Sequence, residues 1–583
     1  MKQLLIGNGA VARGLYEAGC RFVSSYPGTP STEITEEAVA FKDVMHVEWA
    51  PNEKVALESA VGASLAGARA FSAMKHVGLN VAADSLYTIS YTGVSGGLVI
   101  AVADDMGMYS SQNEQDSRHH AIAAKVPMLE PFDSQDCLEY TKLAFELSEE
   151  FDTPVMLRTC TRVAHSQSLI ELHEREEREL IPYKKNPQKN IMLPANAIPR
   201  HAVVEERTRK LTQWAETSPI NRVEMGDPSI GFVTAGGCYG FLREAFPEAS
   251  ILKLGMVNPL PVKLIEDFAA KVELLVVVEE LDPIIENHCK VNGIHVDHGK
   301  DLFGLLGELS QTKIASAMGL PAKEAIDFGA AVPGRPPVLC PGCPHRGTFY
   351  VLSKMWLRVF GDIGCYTLGA LPPLFGLDTC YDMGASITGL HGFNSVLGES
   401  SRRDTVAVMG DSTFCHSGIT GLLNVLYNGS LSTILVLDNA ITGMTGHQQN
   451  PCSGSTLQGD RVEGITVEKI CEGLGVKRIK IVDPYNIKKL EETLREELDT
   501  DEVSVIICRR PCALLPEVRA KQKFKMAVNP DRCKGCKSCM RIGCPSISFG
   551  NNRAVIDPTL CVGCALCAQL CAAGAISVVK EGK

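Results

Sequence analysis

Eight cysteines crowded between Cys533 and Cys571 restrict what this chain can fold into more than any other feature. They form two groups, Cys533-x2-Cys536-x2-Cys539-x4-Cys544 and Cys561-x2-Cys564-x2-Cys567-x3-Cys571. Three thiolates at two-residue gaps let one tight loop wrap three corners of an iron–sulfur cube, and in two-cluster ferredoxins the fourth ligand belongs to the other loop. The spacing therefore predicts Cys533, Cys536 and Cys539 with Cys571, and Cys561, Cys564 and Cys567 with Cys544. Structural zinc sites usually bring their ligands in pairs, whereas both groups here are triplets. The reading is two [4Fe–4S] clusters, with the gap before Cys544 one residue longer than the common three. A segment of about 60 residues has too small a core to hold itself, so the clusters would staple it.

The other fourteen cysteines are scattered from Cys20 to Cys512 of the 583-residue chain and read as thiols. Hydrophobic residues at 45% and charged residues at 21% describe folded protein and exclude wholesale disorder. No apolar run reaches the ~18 residues a bilayer span needs. The opening MKQLLIGNGAVARG meets glycines before it could build a signal-peptide core, so a cytoplasmic location is expected. A net charge of −11 argues against nucleic acid or anionic membrane as a partner.

A second constellation lies in the middle. TVAVMGDSTF (405–414) reads as a buried strand ending in a Gly-Asp turn, HSGITGLLNVLYNG (416–429) as a helix, and STILVLDN (432–439) as a second buried strand. The two strands should be parallel, with Asp411 and Asn439 just past their carboxyl ends, the edge where open α/β sheets bind ligands. An Asp carboxylate, an Asn amide oxygen and the Ile441 carbonyl are hard donors suited to Mg²⁺ holding a diphosphate. Gly410-Asp411-Ser412 followed after 28 residues by Asn439 resembles the thiamine diphosphate motif, with Ser412 in place of its second glycine. The small-residue loop at Gly384 could approach the phosphates closely. Thiamine enzymes also need a carboxylate beside the aminopyrimidine ring. Glu53, in the first turn of an Ala- and Gly-rich helix, is the candidate, against the plain alternative of a dipole-facing glutamate.

With these features together, the sequence resembles the large subunit of indolepyruvate ferredoxin oxidoreductases over nearly its whole length. The stretches that carry the likeness are YPGTPSTEI (26–34), NEKVALESAVGASLAGARA (52–70), MKHVGLNVAADSL (74–86), SSQNEQDSR (110–118), CPGCPHRGTFY (340–350), GDIGCYTLGALPP (361–373), GDSTF (410–414) and LDNAITGMTGHQ (437–448). The resemblance implies an α/β multidomain fold. It comprises a pyrimidine-binding domain (1–165), a transketolase C-terminal-like domain (228–331), a diphosphate-binding domain (332–515) and a two-cluster ferredoxin domain (524–583), and the charge-dense residues 166–227 read as a partly helical linker. Residues 516–527 form a basic approach to the ferredoxin domain. It further implies oxidative decarboxylation of arylpyruvates with coenzyme A, thiamine diphosphate and Mg²⁺ as cofactors, ferredoxin as electron acceptor, and a smaller β subunit in an α₂β₂ assembly. Pyruvate or branched-chain acids remain the alternative substrates, and non-oxidative decarboxylation the alternative chemistry. Thr29 matches a threonine placed near the substrate carboxylate. His76 and His345 are candidate partners of the keto group or cofactor amine, or else satisfied structural histidines.

Two further motifs receive plainer readings. GNGAVARG (7–14) has the wrong glycine spacing for a dinucleotide loop and lacks the later acidic residue. Cys340 and Cys343 form a CxxC with no second pair in sight, and read as residues near the thiamine site.

Overall fold

The computed structural model describes residues 1–321, 329, 331 and 333–580, and the chain divides into two compact units, Met1–Ala330 and Ala331–Lys583. The expected boundary at 331/332 touches Val332, which lies outside the described residues.

The first unit is built on a seven-stranded sheet ordered Met256–Asn258, Met128–Leu129, Val155–Cys160, Leu98–Asp104, Ala70–Lys75, Phe22–Ser25 and His46–Trp49. Every neighbouring pair is parallel except the first. Leu98–Asp104 and Val155–Cys160 are buried along their whole length, as central strands covered by helices on both faces must be. A second sheet runs Leu275–Val278, Asp227–Ala235, Ala249–Leu254 and Arg222–Glu224. The chain leaves it at Leu254 and at once pairs Met256–Asn258 with Met128–Leu129 of the first sheet, so the two sheets share one core.

Residues 166–227 are anchored to the first unit at both ends of a largely exposed stretch. Gln167–Glu171 pairs antiparallel with Lys2–Ile6, and the helix Pro194–Thr217 buries Val204, Arg207, Leu211 and Ala215. Arg207 donates to the carbonyls of Ser90 and Asp152, which ties the helix down. The pairing of Lys2–Ile6 outside the main sheets also accounts for GNGAVARG. Its residues open the helix Gly7–Glu17, but the preceding strand is no part of a βαβ sheet.

The second unit carries a six-stranded, all-parallel sheet: Thr379–Cys380, Arg358–Gly361, Thr405–Gly410, Thr433–Asp438, Ser504–Arg509 and Arg478–Val482. The cysteine-rich segment adds two small antiparallel pairs, Phe524–Val528 with Ile576–Lys580 and Ile547–Gly550 with Arg553–Ile556. Their core is continuous with that of the large sheet. The seam is close. A Cβ on Gly347 would run into the Pro484 carbonyl and meet Leu566 at 3.4 Å, and one on Gly342 would collide with Val562. Gln569 Nε2 donates to the Tyr485 carbonyl at 2.6 Å.

Gly342→Ala should therefore overpack this seam against Val562 at a cost of about 1–3 kcal/mol. The expected outcome is a lower thermal midpoint and reduced iron retention, measured by calorimetry and iron assay; an unchanged midpoint would show that the seam opens freely.

Candidate functional site

In the second unit Asp411 and Asn439 sit where adjacent parallel strands, Thr405–Gly410 and Thr433–Asp438, reach their carboxyl ends. Asp411 is 2% exposed; its Oδ1 accepts from the Ser412 amide at 2.9 Å, and its Oδ2 is buried without a partner. The Asn439 side-chain oxygen stands 2.8 Å from the Ile441 carbonyl and 3.2 Å from Asp411 Oδ1. Three acceptor oxygens thus face one another. Rotating the amide would let it donate to both neighbours, but a cation would satisfy all three oxygens and Oδ2 as well. The donor set fits Mg²⁺. Burial, with Asp438 nearby, pushes the Asp411 carboxyl up to about 7, as expected of a carboxylate awaiting a counter-charge.

Beside this trio glycines let the backbone pack closely. Gly384, at φ +96°, caps the helix Ala385–Leu397 in the left-handed region that favours glycine. A Cβ on Gly410 would press on Tyr366 at 2.9 Å. Ser412 Oγ accepts from Thr442 Oγ1 at 2.9 Å, holding the Gly-Asp turn to the loop that follows Asn439. Directly after the turn, Phe414–Gly418 winds as a π-helix, a form that recurs at functional sites. Asp362, unremarked in the sequence, ends the strand Arg358–Gly361 and accepts from Tyr366 and from Ser386 Oγ at 2.8 Å. Burial pushes its carboxyl up to about 7. His345 is 4% exposed, packs edge-on to Tyr366, and is pulled by burial down to about 4, so it is neutral at working pH.

The first unit gathers a different set at the end of the strand Ala70–Lys75. Glu53 is the first residue of the helix Glu53–Leu65, whose cap Asn52 accepts from the Val55 amide at 2.9 Å. The Glu53 side chain is 6% exposed and lies across Gly78, where a Cβ would meet Glu53 Oε1 at 2.7 Å. Gly78 is thus required by Glu53, a link hidden by 25 residues of sequence. Lys75 is half-buried and donates to the Ser110 carbonyl at 3.0 Å. Burial lowers its pKa, opposed by Asp105 and Glu53. A Cβ on Gly28 would touch Lys75 at 3.4 Å, which brings the turn of Thr29 to the same place. His76 Nε2 lies 3.2 Å from the Asn113 carbonyl, while its Nδ1 is buried without a partner. Burial lowers its pKa. Glu53, Thr29, Lys75 and His76 therefore share one neighbourhood; Lys75 was missed because one lysine at a strand end has no sequence signature.

The cysteines of the tail sort as a crossed pattern. Cys533, Cys536, Cys539 and Cys571 line one cavity with Lys534, Lys537 and Phe549. Cys544 lies within electrostatic reach of Cys564 and Cys567, as does Cys561. Among the described residues no three His, Cys, Asp or Glu side chains close on a single ion. The four-walled cavity, its thiols free of disulfides, fits a cluster.

The CxxC has company after all. Cys365 is within electrostatic reach of Cys512 and Cys340, and Cys343 of Cys365 and Cys340. The four come from three segments, which is why the sequence showed only a lone pair; together they could hold a further cluster. Between this set and the tail lies Arg346, 2% exposed, donating to the carbonyls of Leu339, Cys340, Ile542 and Gly543.

Residues 13–220 match the family model for the thiamine diphosphate-binding part of pyruvate flavodoxin/ferredoxin oxidoreductases, and residues 362–508 that for the C-terminal binding domain of thiamine pyrophosphate enzymes. The chain is 39% identical to the indolepyruvate oxidoreductase subunit IorA of Archaeoglobus fulgidus, covering 100% of this chain and 98% of that protein. It is 41% identical to the subunit IorA of Pyrococcus horikoshii over the same shares. A solved 2-oxoglutarate:ferredoxin oxidoreductase from Magnetococcus marinus gives a partial match, with 19% identity over 54% of this chain and 64% of that one and a TM-score of 0.46.

Two substitutions separate the roles. Asp411→Asn should weaken Mg²⁺-dependent thiamine diphosphate binding by about 100-fold or more in calorimetry, since ligand-shell changes cost at least that order. Glu53→Gln should keep that binding and slow turnover by about 10²–10⁴-fold, the usual share of a positioned proton carrier. For stability, Asp362 has a folded pKa near 7 and so stabilises the fold at low pH, an effect lost as pH rises from about 4 to 7. Asp362→Asn should flatten that slope in thermal melts; a slope unaltered by the substitution would place its origin elsewhere.

Proposed function

The chain belongs to the indolepyruvate oxidoreductase IorA family, and from that premise we propose that it oxidatively decarboxylates arylpyruvates, indolepyruvate first, to the aryl-acetyl thioester of coenzyme A. It is a thiamine diphosphate-dependent 2-oxoacid oxidoreductase; the aryl preference, the coenzyme A step and the electron route are our reading. The observation that carries it is that one compact unit holds both the oxygen trio at Asp411 and the cysteine-lined cavity of the tail. A non-oxidative thiamine enzyme has no use for the second.

Thiamine diphosphate, when bound, supplies a nucleophilic carbon and an electron sink for decarboxylation. In our reading Asp411, Asn439 and the Ile441 carbonyl hold Mg²⁺ and through it the diphosphate, with the Gly384 loop and Ser412 beside the phosphates. Glu53 holds a proton at the aminopyrimidine ring. Lys75, beside the Thr29 turn, offers a half-buried cation to the substrate carboxylate, where desolvation strengthens the attraction. The neutral His76 donates from Nε2 to the Asn113 carbonyl, so its unpartnered Nδ1 is an acceptor suited to the cofactor amine; His345 lies in the other unit, and its low pKa suits a hydrogen-bonding role without charge. The eight tail cysteines would hold two [4Fe–4S] clusters, which would supply one-electron relay sites toward a ferredoxin, whose potential of roughly −400 mV suits so strong a donor. A smaller β subunit in an α₂β₂ assembly completes the enzyme, in keeping with the description of the relatives as subunits.

The test is anaerobic co-expression with the partner subunit and an assay of ferredoxin or viologen reduction. Indolepyruvate, phenylpyruvate, pyruvate and 2-oxoisovalerate are compared, each with and without coenzyme A. Coenzyme A-dependent reduction fastest with the two aryl acids is expected. Faster reduction with pyruvate would overturn the substrate, and CO₂ release without reduction would overturn the oxidoreductive route.

A further inference from the structure

The two cysteine sets of the tail have opposite surroundings. The set of Cys561, Cys564, Cys567 and Cys544 faces inward: Cys561 and Cys567 are buried, Val562 packs on Gly342, and the buried Arg346 donates to the carbonyl that precedes Cys544. Beyond Arg346 lie Cys340 and Cys343. The set of Cys533, Cys536, Cys539 and Cys571 faces outward, since Cys536 is exposed and its neighbours Lys534 and Lys537 are exposed walls of the same cavity. Lys537 Nζ rests 4.7 Å from the centre of the Phe549 ring, another wall. Exposed Arg532 donates to the carbonyl of Ala573, which also lines it. Asp531 is the one acid adjacent in sequence.

Charge distinguishes the tail from the rest of the chain. Residues 516–583 hold eleven Lys and Arg against four Asp and Glu, a net of +7 in a chain whose total is −11. Elsewhere the surface would repel an acidic protein; here it would attract one. We infer that electrons leave the enzyme at the cluster held by Cys533, Cys536, Cys539 and Cys571, by docking of an acidic electron-carrier protein on the basic rim of Lys534, Lys537 and Arg532. The inference rests on the reading of the tail as a two-cluster relay, and adds which cluster is the exit and what partner fits it. Rim charges of this kind act mainly on encounter rate and are screened by salt within about 8–10 Å at physiological ionic strength.

The probe is a ferredoxin of net negative charge, with methyl viologen as an acceptor that needs no docking. For the complete enzyme the KM for ferredoxin should rise with added salt. The double substitution Lys534→Glu and Lys537→Glu should raise it about 10-fold or more, the scale of reversing rim charges, without lowering the viologen rate. Iron content and the reduced-cluster EPR signal show that the variant is loaded. If it is not, Lys534→Gln with Lys537→Gln removes the charge more gently and should raise KM by a smaller factor. Binding of oxidised ferredoxin to the loaded enzyme by calorimetry gives a second readout that requires no turnover. A loaded variant with unaltered KM and affinity for ferredoxin overturns the inference, as does an equal loss with both acceptors, which would put the lysines in the relay itself. A wild-type enzyme that binds ferredoxin in a lysine-dependent way but oxidises no 2-oxoacid would sink the proposed function and leave the docking face standing.

Discussion

Arg346 is the interaction on which the second unit depends. A guanidinium taken out of water costs several kcal/mol unless it is paired and fully hydrogen-bonded. Here its bonds among the described residues run to the carbonyls of Leu339, Cys340, Ile542 and Gly543, two on each side of the seam between the large sheet and the cysteine-rich tail. The groups that would oppose its charge once ionised are the thiols of Cys544, Cys343, Cys340 and Cys564. As free thiols they compensate poorly; as thiolates on iron they would supply the missing negative charge. The seam and the clusters thus support each other, which explains why a small tail with little core of its own shares a hydrophobic core with the sheet.

The same economy shapes the thiamine half. Parallel strands deliver Asp411, Asn439 and Asp362 to one edge of one sheet, and in each case the residue is the first beyond the strand. Such placement fixes a side chain without long loops, because the strand register sets where it starts. The cost is three buried polar side chains close together, and two of the carboxyls respond with raised pKa values. A divalent cation would relieve one; Tyr366 and Ser386 relieve the other.

How much was legible in the sequence follows from how local each feature is. The two CxxCxxC triplets each lie within one loop, so spacing alone revealed them. Asp411 and Asn439 were visible because buried β-branched runs mark the strands that end beside them. Glu53 was visible as a first-turn carboxylate, but Gly78, which makes room for it, was not, since that need arises only when two helices cross. Cys365 and Cys512 were indistinguishable from scattered cysteines until the fold brought them to Cys340 and Cys343. Arg346 looked like an ordinary helix residue. The helix Pro194–Thr217 falls in a segment whose charge pointed to a partly helical linker and hid the apolar side that Leu211 and Ala215 place against the core.

The interleaving of the tail has a consequence for how the protein matures. Because the cavity of Cys533, Cys536 and Cys539 is closed by Cys571, its walls are complete only when the chain between them has folded through the other loop. With clusters on both sets, neither half could be exchanged or deleted as a cassette, and loss of iron from one site would remove an anchor of the other. Iron insertion should then be all-or-none: a population starved of iron would contain full and empty molecules, with few half-loaded ones between.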